Sequence, residues 1–160
     1  MTPSLIPLLV VQWLHVIAGL IWAGGALLGG YLLPRAMAGK PVSEGRAVYD
    51  PFIKTAGPLM EAAGMTVLVA GILRGTVFGP VHSFATAFGT PYGLTWLMAL
   101  LLSMVFAVHS GHWHKRVPEL IWNGELQGPE AKFLIDRHGI ASLVVFLGII
   151  ACMVLMRFGL

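Results

Sequence analysis

Apolar positions in this chain run in long blocks, with no strict alternation and no short amphipathic stripes. The segments Met1–Pro34, Gly75–His114 and His138–Met156 contain no Asp, Glu, Lys or Arg, and Thr55–Leu73 contains only Glu61. A block of about 20 apolar residues spans the hydrocarbon of a bilayer, whereas 10–14 fall short. Lipid offers the backbone no hydrogen-bond partner, so each block must satisfy its own peptide groups, which a helix does. The pattern predicts membrane helices over roughly 6–33, 56–78, 92–114 and 138–158. The expected fold is all-α: an integral membrane, antiparallel four-helix bundle forming one domain over residues 1–160, both termini outside. Pro34 is expected to stop the first helix, because its ring removes a donor and disfavours helix in the preceding residue.

Composition sharpens this picture. Of the 160 residues 57% are hydrophobic and 11% charged, with mean hydropathy +0.82. A soluble domain carries about 25% charged residues. Soluble enzyme, nucleic-acid binder and secreted disulfide scaffold are all poor readings, and no nucleic-acid partner is expected. Cys152 is the single cysteine, so no internal disulfide forms, and it reads as a small buried core residue. No basic residue precedes the first apolar block, which exceeds the 7–15-residue core of a cleavable signal. It reads as a permanent span.

Charge then orients the helices. Arg35, Lys40, Arg46 and Lys54 fall between the first two spans, and Lys115, Arg116, Lys132 and Arg137 between the last two. Only Arg74 and Arg157 lie on the other side. Cytoplasmic loops carry the excess of Lys and Arg. Both basic loops are therefore expected in the cytoplasm. The segment 75–91 carries Phe78, Phe84 and Phe88 among glycines and prolines. It reads either as a stretch lying in the membrane interface or as a plain hydrophobic connector.

Candidate chemistry begins on the first helix. Steps of three and four from His15 give Ala18, Gly19, Trp22, Gly25, Ala26, Gly29 and Gly30. Two explanations of this near-bare strip stand. One is close helix–helix approach through Gly25 and Gly29 as a small-xxx-small pair. The other is a flat macrocycle against the backbone, a heme, with His15 as axial ligand and Ala18, Gly19 and Trp22 along its face. Helical rise puts His109 roughly 12–16 Å deeper than His15. By depth the second ligand is Met98, Met104 or Met65, or the iron is five-coordinate.

A second polar layer lies nearer the basic loops. His109 and His112 share a helix face, Glu61 enters at similar depth, and His138 opens the fourth helix. A carboxylate with two or three imidazoles suits metal ligation, a second heme or proton transfer. The plainer reading pairs a buried Glu61 with one histidine. Arg35 reads as an interface anchor that also suits heme propionates at this depth, and His82 as a solvated loop residue.

The run Leu14-His15-Val16-Ile17, then Trp22 and Tyr31-Leu32-Leu33-Pro34-Arg35, resembles the first helix of the four-helix membrane protoporphyrinogen oxidases of bacteria. Met60, Ala62, Ala63 and Gly71 are similar to that family's second helix. Thr90-Pro91-Tyr92-Gly93, leading to His109, is similar both to it and to the copper-resistance D membrane domain. The resemblance implies a heme-b-binding four-helix bundle in which His15 matches the first-helix histidine. One departure stands out: those relatives usually carry a lysine early in the third helix, where this chain has Trp96-Leu97-Met98-Ala99. The loss of an intramembrane ammonium argues for a retained scaffold and cofactor with a changed task.

The leading expectation is a heme-b membrane protein that moves electrons, alone or as a small subunit of a respiratory complex. The alternatives are protoporphyrinogen oxidation and copper handling; against copper, the eight methionines are scattered rather than clustered as Cu(I) prefers. A purely structural subunit is also open. Expected partners are the lipid bilayer, respiratory-complex subunits or a second copy of the chain.

Overall fold

The computed structural model describes residues 5–122 and 129–160, side chains at 117, 118, 121 and 122 excepted. Among the described residues all regular structure is helical. The order is α1 (Leu5–Leu27), a π turn (Leu28–Leu32), α2 (Leu33–Met37), α3 (Val42–Thr76), α4 (Phe84–Gly89), α5 (Pro91–Trp122) and α6 (Pro129–Arg157). α1, the π turn and α2 form one continuous rod. That rod, α3, α5 and α6 are the four candidate membrane spans among the described residues. The protein is an all-α four-helix membrane bundle. Residues 5 and 157 lie at one end, with Arg74, and Arg35 marks the other.

Each expected span lies almost wholly within an observed helix, but the ends differ at the Arg35 side. α3 begins at Val42 rather than 56, α5 continues to Trp122 rather than 114, and α6 begins at Pro129 rather than 138. The basic segments 35–55 and 115–137 are therefore largely helix, not loop. Charge ends the membrane-compatible stretch but does not end a helix. Glu44 and Glu130 in the first turns of α3 and α6 complement the positive helix N-termini. At 1.5 Å per residue α3 is about 52 Å long, against about 30 Å of hydrocarbon.

Pro34 does not stop the first helix; the rod runs on to Met37. The backbone solves the problem locally. The Leu33 N–H reaches back five residues to the Leu28 carbonyl, which frees the Gly29 carbonyl. Pro34 has no N–H to offer the Gly30 carbonyl four residues back. Both freed oxygens are buried in lipid-spanning structure and both find donors from other helices. Tyr49 Oη donates to Gly29 O at 3.2 Å, and Trp113 Nε1 donates to Gly30 O at 3.0 Å. The π turn thus ties α1 to both α3 and α5.

The bare strip on α1 is filled by protein. A Cβ at Gly25 would strike the Met60 side chain, one at Gly29 would lie 2.7 Å from Phe52 Cε1, and one at Gly30 would lie 3.2 Å from His138 Nε2. In return Gly64 of α3 accepts the Trp22 indole, at 3.0 Å from where its Cβ would stand. Close helix approach, the first of the two explanations for the strip, accounts for Gly25, Gly29 and Gly30. Trp22, Ala18, Ala26, Ala63, Val67 and Phe106 form the buried core. Trp22 meets Phe106 edge-on, with centroids 5.1 Å apart at 76°.

In the 75–91 segment Ser83 and Thr86 form a capping box that starts α4, with Thr86 N donating to Ser83 Oγ at 3.2 Å. Val81 and Ala87 are buried beneath it. Phe84 and Phe88 stack on each other and point away from the bundle, 86% and 62% exposed. The segment is therefore a short helix with an exposed aromatic face rather than a plain connector.

Candidate functional site

A cavity of about 380 Å³ opens at the Arg74 end between α1, α3, α5 and α6. His15 enters it from α1, Arg74 from α3, Tyr92 and Trp96 from α5, and Met156 and Arg157 from α6. Trp96 Nε1 donates to the Gly71 carbonyl at 3.1 Å, so the indole is fixed as part of the wall. His15 is fixed as well. Its Nδ1 lies 3.1 Å from the Val67 carbonyl oxygen. A carbonyl only accepts, so Nδ1 carries the proton and Nε2 keeps its lone pair. Metal-bound histidines are oriented by such a bond from the other ring nitrogen.

Several expected cofactor contacts lie elsewhere. Met65, Met98 and Met104 are 63%, 50% and 58% exposed and none lines this cavity. Ala18 and Trp22 belong to the core, and Gly19 packs toward Val67. The methionines that do line it are Met153 and Met156. These, with the arginines Arg74 and Arg157, were missed by sequence reasoning. They sit at helix ends that share no spacing with His15.

A second cavity, of about 420 Å³, lies toward the Arg35 end between α1, α3 and α5, with Leu68 a wall common to both. Glu61, Ser110, His114 and Lys115 supply its polar lining, and Trp22 and Met60 part of its apolar lining. Among the described residues Glu61 has no hydrogen-bond or ion-pair partner. The buried Nδ1 of His114 has none either.

The expected layer of Glu61, His109, His112 and His138 is divided. His138 Nδ1 lies 2.9 Å from His109 Nε2, and Ser142 Oγ lies 3.3 Å from His138 Nε2. Trp113 stacks on the His138 ring with centroids 4.1 Å apart at 9°. Glu61 is exposed and faces the second cavity, so the expected buried pair of Glu61 with a histidine does not form, and His112 is exposed with no hydrogen bond, ion pair or ring contact among the described residues. No group of three or more His, Cys, Asp or Glu among the described residues is placed to hold a metal ion. What remains is a hydrogen-bonded histidine pair. It packs against Gly30, about 22 Å along the rod from His15, so His15 and His109 do not share one iron. Arg35 pairs with Asp136 of α6 and lies over the Tyr31 ring, 5.6 Å from its centroid. It anchors helix to helix.

No family model, no curated protein and no solved structure matches this chain.

Proposed function

We propose that this chain is a heme-b-binding membrane protein with a redox role, alone or as a small subunit of a respiratory complex, and that the macrocycle occupies the His15 cavity. The observation that carries this reading is the His15 tautomer. Nδ1–H is committed to the Val67 carbonyl, so Nε2 is left as an electron-pair donor beside the cavity. The rest of the lining supports the same ligand. The Arg74 and Arg157 guanidiniums suit the propionates, Trp96 and Tyr92 offer aromatic wall, and Met153 and Met156 offer thioether sulfur. A volume near 380 Å³ is within the ordinary range for a small-molecule site. Bound there, heme supplies one-electron chemistry, while the protein fixes the ligand, pairs the carboxylates and excludes water.

Two cationic side chains on the cavity favour a carboxylate-bearing tetrapyrrole over a copper ion. The same cavity would accept a porphyrinogen, and Arg74 and Arg157 would then stand where the missing lysine cannot. We place the Arg35 end in the cytoplasm and the His15 cavity toward the outside, in a bacterial cytoplasmic membrane. Protein purified from heme-replete cells should show a b-type spectrum, with one heme per chain by pyridine hemochrome. His15→Ala should abolish it, and the double variant Arg74→Gln/Arg157→Gln should weaken hemin affinity without removing the band. A preparation that stays colourless after hemin titration refutes the proposal.

A further inference from the structure

We propose that the second cavity, between Glu61 and His114, binds the head group of a lipid-soluble quinone. The argument begins with its glycines. Gly25, Gly29 and Gly30 are each explained by a side chain that a Cβ would strike, but Gly57 and Gly111 are not. A Cβ at Gly111 would meet nothing within 4 Å, and one at Gly57 only Ile53 at 4.0 Å. Protein packing does not require these two glycines, and both line the cavity. A side chain at either position would project into the cavity's open space rather than into packed protein.

The polar groups then specify the occupant. His114 Nδ1 is buried without a partner, and Glu61, exposed at the mouth of the cavity on a membrane-spanning helix, has none among the described residues. Each calls for a hydrogen-bonding ligand, because an unpaired polar group in a low-dielectric site is costly. Lys115 and Glu61 bring opposite charges to the one cavity, so neither an anionic nor a cationic head group is favoured over a neutral one. The remaining lining, with Trp22, Met60 and Leu68, is apolar. A neutral, flat molecule with an oxygen at each end, soluble in hydrocarbon, matches all of this. A quinone accepts hydrogen bonds at both carbonyls and its quinol donates at both hydroxyls; an imidazole and a carboxyl group serve either form.

The inference is independent of heme and is tested without it. The purified chain in nanodiscs is titrated with decylubiquinone, followed by quenching of tryptophan fluorescence. An azido-ubiquinone is then photo-crosslinked and the labelled peptide mapped. Saturable binding at one site per chain is expected, with label on residues 57–65 or 107–115. Glu61→Gln and His114→Phe should each weaken binding about tenfold, the effect of one lost hydrogen bond at a buried site. Gly111→Leu fills open space rather than a packed contact, so it should fold normally and abolish binding. His15→Ala should bind quinone as the parent chain does. Retained quinone binding in a colourless protein would therefore sink the heme reading alone. Absence of saturable binding, label mapped elsewhere, or a folded Gly111→Leu variant that binds like the parent would overturn the quinone site. So would displacement of the probe by phospholipid alone.

Discussion

Replacing Trp113 by Phe isolates one of the two bonds that hold the π turn in the bundle. The phenyl ring can keep the stack on His138, but the donor to Gly30 O, at 3.0 Å, is lost. Interhelical hydrogen bonds in membranes average about 0.6 kcal/mol and reach about 1.7. An ordinary carbonyl losing such a partner would still have its i+4 N–H. Gly30 O has none, because residue 34 is proline, so the oxygen is orphaned and the desolvation cost of about 1–3 kcal/mol applies. The expected loss is about 1–2 kcal/mol, a factor of roughly 5–30 in the unfolding equilibrium. The control is a double-mutant cycle. Pro34→Ala restores an N–H that can serve Gly30 O, and in that background Trp113→Phe should cost less than about 0.5 kcal/mol. Reversible unfolding in mixed micelles, followed by circular dichroism, measures all four corners. Equal cost in both backgrounds would refute the account of how the rod passes Pro34.

Three further outcomes are expected. Gly25→Leu drives a side chain into Met60 and should destabilise by about 1–3 kcal/mol, with partial rescue by Met60→Ala in the same unfolding assay; a neutral effect would mean the α1–α3 contact is loose. Arg35→Gln removes an ion pair whose partners are 40% and 28% exposed, so it should cost less than about 1 kcal/mol and the difference should fade in high salt. In a Cys152→Ala background, a cysteine at position 40 should react with an impermeant maleimide only after the cytoplasmic face is opened; labelling of intact cells would invert the proposed orientation.

The four spans were legible because lipid imposes one rule on every residue of a crossing segment. Their ends at the Arg35 side were not. Arg46, Lys54 and Lys115 mark where the apolar stretch gives out, and charged residues outside the hydrocarbon are good helix surface. Pro34 misled for a different reason. The rule that proline breaks a helix concerns its own backbone partners, and here Tyr49 and Trp113, distant in sequence, supply the missing donors. Nothing within the first helix announces that.

Site residues divide along the same line. His15 was legible because an imidazole in an uninterrupted apolar block needs a partner, and the Val67 carbonyl is one. Arg74 and Arg157 were visible only as the two basic residues on the sparse side, since counting charge by side says nothing of which cavity a guanidinium lines. Glycine shows the limit most sharply. Gly25 and Gly111 are the same residue, each in a membrane span, yet one admits Met60 and the other faces open space. The distinction lies in the neighbouring helix. A glycine whose missing side chain is filled by protein is spent on packing and gives no support to a ligand; one whose space stays empty does. On that criterion the bare strip of α1 argues for the bundle. The glycine support for a bound molecule moves to the second cavity, where Gly57 and Gly111 face open space, whereas Gly71, Gly75 and Gly79 around the His15 cavity all meet protein.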